Sequence, residues 1–403
     1  MSANLNATGL ANREECALCR GRQFEIAIEL PNLPLTGIYS KEPMKDVVTG
    51  IDQQLLICTE CGHAQLGKEV PAGVLYGGDY SFRTSTSATA QQGTSFFLSM
   101  LEEIAPAKRF KCILDVGCND LYLLKQLEDR AETRVGIDPL WALEKDRIDG
   151  KDIILIGAGI EDVDLDSALE VSPDLVICRH TLEHIAEPQV VLQKLINAAA
   201  REALFLFEVP GFEPLLHKLR FDQVFHQHLQ YFTLASFKRL LEEVGGVFIS
   251  HRENYHDWGS LLVAFGKRKK DQKKDSKIFS PLFDVAEIQK RYIIFKQQMS
   301  TTHDVLKSFK GTVIYGYGAA QMLPILAYHL GNDLSLLTAV LDDDINKDNL
   351  YYWNLPLIIR HTSKMTDLES ASVFITAIDN VRTILDKLMT RRPRHIIYPF
   401  QII

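Results

Sequence analysis

Ile113-Leu114-Asp115-Val116-Gly117-Cys118-Asn119-Asp120 is an aliphatic run that meets an acid, turns through a glycine and reaches polar residues suited to start a helix. Such a junction lets a ligand approach backbone N–H groups at a helix N-terminus. The next run, Val135-Gly136-Ile137-Asp138, also ends in a carboxylate, where α/β nucleoside-binding sheets place the group that accepts ribose hydroxyl hydrogens. Outward from this pair, the segment Lys111 to Lys267 repeats short apolar runs: KCILDV, TRVGID, DIILIG, DLVICR, ALFLFEV, GVFISH and SLLVAFG. Helix-length stretches separate most of them, which means a parallel sheet covered on both faces. The last two are joined only by the polar stretch Arg252 to Gly259, too short for a parallel crossover, so an antiparallel hairpin is expected to close the sheet. Thr233 is placed to cap an amphipathic helix over Leu234 to Val244, with Gly245 as its stop.

Beyond this sheet, Lys267 to Lys277 is rich in Lys and Arg, with only Asp271 and Asp275 against them, and reads as solvated linker. A helix over Ile288 to Lys310 follows, and the strand pattern restarts with GTVIYGYGAA, SLLTAVLDD, VFITAI and HIIYPF. The turn Gly316-Tyr317-Gly318, with Asp342 ending the next strand, looks like a dinucleotide fingerprint but lacks its third glycine, so nicotinamide binding is not expected.

Upstream lie two cysteine pairs, Cys16/Cys19 and Cys58/Cys61. Two thiols at this spacing turn toward one tetrahedral ion, and two such knuckles complete a four-thiolate shell with no open position. The ion is therefore assigned a folding role, with His63 as a neighbour rather than a ligand. Cys112, Cys118 and Cys178 are expected to stay reduced. Three units result: a zinc-binding domain over 1–75, a central domain over 76–267, and a linker, helix and Rossmann-like domain over 268–403. The 403 residues, 46% of them hydrophobic, have room for three cores. A net charge of −8 argues against a phosphate-backbone binder, and no apolar run is long enough to span a bilayer. The polar start (Ser2, Asn4, Asn6) has no leader pattern, so a cytoplasmic protein is expected, with no nucleic-acid or membrane partner. The oligomeric state is left open.

Chemistry-bearing residues gather at the ends of later strands: Cys178-Arg179-His180-Thr181-Leu182-Glu183-His184, Phe207-Glu208-Val209-Pro210, and Phe225-His226-Gln227-His228-Leu229-Gln230-Tyr231-Phe232. His226 and His228 lack a third ligand at metal spacing, and imidazole titrates near neutral pH, so proton transfer suits them better.

The paired knuckles, the LDVGCNDxxLL loop, the CRHTLEH and FEVP strand ends, the HQHLQYFT segment and the GYGAAQ turn follow one another in an order that resembles the zinc-containing S-adenosylmethionine-dependent sugar C-methyltransferases. These act on nucleotide-linked 4-keto-6-deoxy sugars in branched-deoxysugar biosynthesis. The resemblance covers nearly the whole chain. It implies an α/β protein with a small β-rich zinc domain, a central class I (Rossmann-like) methyltransferase sheet and a C-terminal Rossmann-like domain, with S-adenosylmethionine and structural Zn2+ as cofactors and a nucleotide-linked sugar as substrate. Asp115, Gly117 and Asn119 would line the methyl-donor pocket, Asp138 would hold the ribose, and the Gly159-Ile160-Glu161 turn would flank the adenine. His228 would remove the C-3 proton beside the ketone, and the enolate would attack the sulfonium methyl, a reaction that needs no catalytic metal. His180 and Tyr80 would line the sugar pocket and polarise the enolate oxygen.

Two departures stand out. The family's Tyr-His-Glu-His is Phe225-His226-Gln227-His228 here, so a phenol and a carboxylate are missing, although the Gln227 amide can still position a neighbour. Leu121 replaces the glycine of the family's NDG turn, where a β-carbon disfavours positive φ. Methylation of a sugar hydroxyl, or non-catalytic binding of the nucleotide sugar or of S-adenosylmethionine, are the competing readings.

Overall fold

The computed structural model describes residues 9–44, 48–75, 84–142, 153–255, 259–269, 284–365 and 368–399. The chain opens with an antiparallel meander of β1 (Phe24–Leu33), β2 (Ile51–Cys58) and β3 (Ala64–Leu66). Helix α1 (Ala88–Ile104), capped by the Ser87 side chain, leads into β4 (Phe110–Val116), the strand of the opening quotation. There follow α2 (Tyr122–Gln126), β5 (Ala131–Ile137), β6 (Ile153–Ile156), β7 (Leu175–Arg179), α3 (Pro188–Ala198) and β8 (Leu204–Val209). The two-residue β9 (Gln230–Tyr231), α4 (Leu234–Val244), β10 (Gly246–Asn254) and β11 (Ser260–Lys267) complete this part.

Seven of these strands form one sheet in the order β10-β11-β8-β7-β4-β5-β6. Only β11 runs against its neighbours. This is a Rossmann-like α/β arrangement, and each of its strands falls on one of the apolar runs read from the sequence. The reason is burial of both faces: Cys112, Leu114 and Val116 of β4 enter one core, while Phe110 and Ile113 enter the other. Thr233 and Ser236 form a reciprocal capping box at α4, and Gly245 ends it at φ 76°, the left-handed conformation that glycine adopts without steric cost.

After the linker, α5 (Val285–Ser308) begins three residues before the expected start because Asp284 caps it, accepting from Glu287 N at 2.7 Å. Then come β12 (Ile314–Tyr317), α6 (Leu323–Leu330), β13 (Ala339–Asp342), β14 (Ile359–His361), β15 (Ser372–Ile375), α7 (Val381–Arg391) and β16 (His395–Ile397). They form a parallel five-stranded sheet, β14-β13-β12-β15-β16.

Two exchanges tie the parts together. Strand β9 joins the N-terminal meander to give the order β9-β3-β2-β1, and Tyr351–Tyr352 pairs with Tyr39–Ser40. Ile288, Phe295, Met299 and Leu306 of α5 pack in one core with Ala27 and Leu30 of β1 and Ile314 of β12. Among the described residues, no helix is long and apolar enough to cross a membrane.

Candidate active site at the switch point of the central sheet

From β4 the chain moves outward through β5 and β6, then returns to the other side of β4 with β7 and β8. The strand order therefore reverses between β4 and β7, and a crevice opens beyond their carboxyl ends, where open α/β sheets bind ligands.

On the β4 side stand the residues read as the methyl-donor pocket. Gly117 turns at φ 78°, and a β-carbon there would overlap Thr181 Oγ1, so the glycine is needed both for the turn and for its close approach to the end of β7. Asn119 N donates to Asp138 Oδ2 and Leu140 N to Asp138 Oδ1, both at 2.9 Å, which fixes the carboxylate at the end of β5. Asn119 in turn accepts from Thr84 N at its side chain and from Trp141 Nε1 at its carbonyl. Asn119 (φ 46°), Leu121 (φ 67°) and His180 (φ 48°) all sit in the left-handed region, at a cost of about 1–2 kcal/mol each for an L-residue. The turn thus keeps positive φ at Leu121 despite its β-carbon, with the leucine side chain buried. Asp115 is buried, and its carboxyl is pushed up to about 7 by that burial, with Asp138 adding to the rise and Arg179 opposing it. Gly159 precedes a single 3-10 turn, Ile160–Asp162, whose Ile160 and Glu161 carbonyls accept from Lys194 Nζ.

Across the crevice, Arg179, His180, Glu183 and His184 follow β7, the last two on a 3-10 turn (Leu182–His184). Arg179 Nε donates to Glu208 Oε2 at 2.5 Å, and Asn254 Nδ2 and Ser260 Oγ donate to Glu208 Oε1. Burial opposes the charge on Glu208, but Arg179, His180 and these donors outweigh it and hold the carboxyl below its ordinary range. The segment from Phe225 to Tyr231 is wholly buried. Its His228 ring packs 4.2 Å from the Phe225 ring, 5.0 Å from His184 and 6.4 Å from Tyr231. Burial, and then the neighbouring His184 and His180, push His228 well below the usual imidazole range, so it is the neutral, proton-accepting form.

The partner histidine behaves otherwise. His226 Nε2 donates to Leu33 O at 2.9 Å and its Nδ1 faces Gln53 Nε2 at 3.5 Å, so it ties the segment to the N-terminal sheet. Gln227 is buried, with Nε2 directed at Leu75 O and its own carbonyl against His184 Nδ1. His180 and His228 are thus brought together, while Tyr80 lies outside the described residues. The sequence places Glu183, His184 and Glu208 at these strand ends without giving them a role; the signal for the first two is the spacing His180-x-x-Glu183-His184.

The four knuckle cysteines converge. Cys16 and Cys61 sulfurs are 3.5 Å apart, Cys19 and Cys58 sulfurs 3.6 Å, and all four lie within 4.8 Å of one another. Four thiolates about 2.3 Å from one tetrahedral ion would stand about 3.8 Å apart, so the set fits zinc. His63 is outside the cluster: its Nε2 donates to Gln230 Oε1 at 3.0 Å. From there Gln230 Nε2 donates to Ile185 O, and Leu229 N to Glu183 O. The second knuckle is therefore linked, through His63 and β9, to both histidine-bearing segments.

The C-terminal glycine turn is filled by its own chain. Asp342 Oδ2 accepts from Ala319 N at 2.6 Å and faces Lys347 Nζ at 3.6 Å, and a β-carbon at Gly318 would overlap Ala377. A cavity of about 540 Å³ lined by Arg20, Asp164, Lys194 and Asn197 lies elsewhere and, Lys194 apart, includes none of the residues above.

Residues 90–250 match a family profile described as a methyltransferase domain. Over 264 residues the chain is 26% identical to the C-methyltransferase NovU of Streptomyces niveus, a match covering 62% of this chain and 60% of that relative. The chain thus spans about three-fifths of the curated relative's length. Solved structures with a similar fold include a putative S-adenosylmethionine-dependent methyltransferase from Listeria monocytogenes (16% identity, TM-score 0.36, 44% of this chain and 100% of that one). Another is the N-methyltransferase NodS from Bradyrhizobium japonicum WM9 with S-adenosyl-L-homocysteine (12% identity, TM-score 0.37, 48% of this chain and 94% of that one).

Proposed function

We propose that the chain is an S-adenosylmethionine-dependent C-methyltransferase acting on a nucleotide-linked 4-keto-6-deoxy sugar, with His228 as the base. The observation that carries this reading is a buried imidazole, kept neutral in an aromatic surround, that packs against His184 just beyond the carboxyl end of β7, the strand paired with the β4 that carries Asp115. The methyltransferase domain and the similarity to a protein named a C-methyltransferase support it. Asp115, Gly117, Asn119, Asp138 and the turn at Gly159 and Glu161 would hold S-adenosylmethionine, which supplies an electrophilic methyl group when bound. His228 takes the proton from the carbon beside the ketone, and His180 and Tyr80 are assigned the role of polarising the ketone oxygen, where charge develops. Gln227 acts through its backbone carbonyl, which fixes the His184 ring. Cys16, Cys19, Cys58 and Cys61 hold a structural zinc, and the C-terminal sheet serves the nucleotide or the packing of the whole. The test is turnover: with labelled S-adenosylmethionine and a panel of nucleotide-linked 4-keto-6-deoxy sugars, S-adenosylhomocysteine is released with at least one sugar. Cofactor binding without release on any of them would overturn the reading.

The state of Asp115 gives a second expected result. With its carboxyl near 7 in the free protein, a cationic group of the ligand favours the ionised form, so binding below that value must expel a proton. Affinity for S-adenosylhomocysteine should therefore fall as pH drops from about 8 to 6, approaching about tenfold per unit at the acid end. Calorimetric titration checks this, and Asp115→Asn should flatten the profile.

A further inference from the structure

Beyond β15 the C-terminal sheet runs into a single 3-10 turn, Ile378–Asn380, which touches the central domain in two separate places. Asp379 Oδ1 accepts from Arg220 Nη2 at 2.7 Å, and its Oδ2 accepts from Gln223 Nε2 at 3.3 Å. The next residue, Asn380, accepts from the Thr89 hydroxyl at 2.6 Å, in the first turn of α1. The turn is itself held against the glycine motif after β12. Tyr317 O accepts from Thr376 N and Ala377 N, Thr376 Oγ1 donates to Gly318 O at 2.7 Å, and a β-carbon at Gly318 would fall 2.3 Å from that of Ala377. The Gly316-Tyr317-Gly318 motif, which in dinucleotide-binding sheets approaches a pyrophosphate, here seats residues 376–377 of its own chain.

Each contact leads to one half of the candidate site. From Asp379 the path is buried. Arg220, 4% exposed, also makes a two-pronged pair with Asp222, Nε to Oδ1 at 2.9 Å and Nη2 to Oδ2 at 2.8 Å, so its charge stays compensated even without Asp379. Gln223 O accepts from the Tyr231 hydroxyl at 3.5 Å, and that hydroxyl oxygen accepts from Phe225 N at 3.2 Å. His228 N in turn donates to Phe225 O, and its ring lies 6.4 Å from that of Tyr231. From Asn380 the path follows α1 back to the 3-10 turn Thr84–Thr86, where Thr84 N and Ser85 N donate to the side chains of Asn119 and Asp120 in the loop after β4. Adjacent residues of one short turn therefore hold the base-bearing segment on one side and the methyl-donor loop on the other.

We propose that Asp379 and Asn380 are positioning residues that fix the distance between His228 and the methyl donor, so that the carbon relieved of its proton meets the sulfonium methyl in line. The proposal rests on the reading above, in which His228 is the base and the loops after β4 and β5 hold S-adenosylmethionine. The two events ask different things of the protein. Proton removal needs only the imidazole beside the C–H bond: that bond breaks, the proton passes to His228, and the electron pair delocalises onto the ketone oxygen. Methyl transfer needs both half-sites in register. The pair returns to carbon, the C–CH3 bond forms as the S–CH3 bond breaks, the sulfonium leaves as a neutral thioether, and His228 releases one proton to solvent. A displacement of about 1 Å between reacting centres costs about a hundredfold in rate, so loss of register slows transfer while proton removal continues.

The test compares the full wild-type chain with Asp379→Ala and Asn380→Ala and reads two rates on the ketosugar that supports turnover. One is deuterium wash-in at the carbon beside the ketone, in D2O with S-adenosylhomocysteine bound; the other is methyl transfer from S-adenosylmethionine. Asp379→Ala should lower transfer by about ten- to a hundredfold while wash-in and S-adenosylhomocysteine affinity change little. Asn380→Ala, which loses one exposed hydrogen bond, should move the ratio the same way by a smaller factor. Asp379→Asn keeps an acceptor for Arg220 Nη2 and should recover most of the transfer rate. Loss of folded protein lowers both rates by one factor, so an unchanged ratio in Asp379→Ala would overturn the proposal. Amide hydrogen exchange read by mass spectrometry needs no sugar: Asp379→Ala should hasten exchange over residues 221–229 and not over 84–90, and Asn380→Ala the reverse. Equal exchange in all three proteins would also overturn the proposal. A wild-type protein that neither washes in deuterium nor transfers a methyl would count against the ketosugar reading instead, with amide exchange still deciding whether the turn holds both segments.

Discussion

His228→Ala is expected to lower kcat by about 10²–10⁴-fold, the range for losing a positioned general base, while S-adenosylhomocysteine still binds. The two parts of the prediction have separate origins. The proton-accepting ring belongs to the buried segment before β9, whereas the groups assigned to the methyl donor belong to the ends of β4 and β5, fixed by Asn119 N and Leu140 N on Asp138. Alanine leaves a cavity against Phe225 and Tyr231 and destabilises the segment as well. His228→Asn is the control, since it keeps more of the volume and removes the titrating ring. Equal loss of turnover in the two variants, with cofactor affinity kept, is the expected pattern. Loss of cofactor affinity in His228→Asn would remove His228 from the role of base.

The second large effect concerns the metal. One zinc per chain is expected by elemental analysis, and Cys58→Ser should lose it together with the N-terminal meander. Structural zinc contributes about 10–16 kcal/mol of apparent binding energy in small domains, more than a domain of this size can spare. Activity should vanish too, though no cysteine of the cluster belongs to the site. The route is a chain of hydrogen bonds: Cys58 N donates to His63 O, His63 to Gln230, and Gln230 and Leu229 to the carbonyls of Ile185 and Glu183. Losing the knuckle removes the template for β9 and so releases His228. Metal analysis, thermal unfolding and turnover of Cys58→Ser check this; a metal-free protein of full activity and unchanged Tm would refute it.

The central fold was legible because its strands are buried on both faces, so periodicity and length mark them directly. The exchange of β9 was not. It is two residues long, shows no period, and pairs with Gln65 and Ala64 far away in the chain. The site was half legible for a related reason. Asp115, Gly117 and Asp138 sit at strand ends that the pattern itself predicts. Glu183 and His184 sit on a 3-10 turn too short to carry a period, and their meeting with His228 depends on the exchanged strand. His226 and His228 look alike in sequence; in the fold, the hydrogen bond to Leu33 O ties the first to the N-terminal sheet, while the second packs against the rings of Phe225 and His184. Leu121 shows the converse: a residue that disfavours positive φ is held there by its burial and by the turn around it.

The central claim is that a carbon beside a ketone receives the methyl group. It is tested most directly by NMR of the product formed from 13C-methyl S-adenosylmethionine and the nucleotide-linked ketosugar that supports turnover. A labelled methyl bonded to carbon, at a position that has lost its hydrogen, is the result predicted here. A labelled methyl on oxygen would contradict it and make His228 the base for a hydroxyl instead.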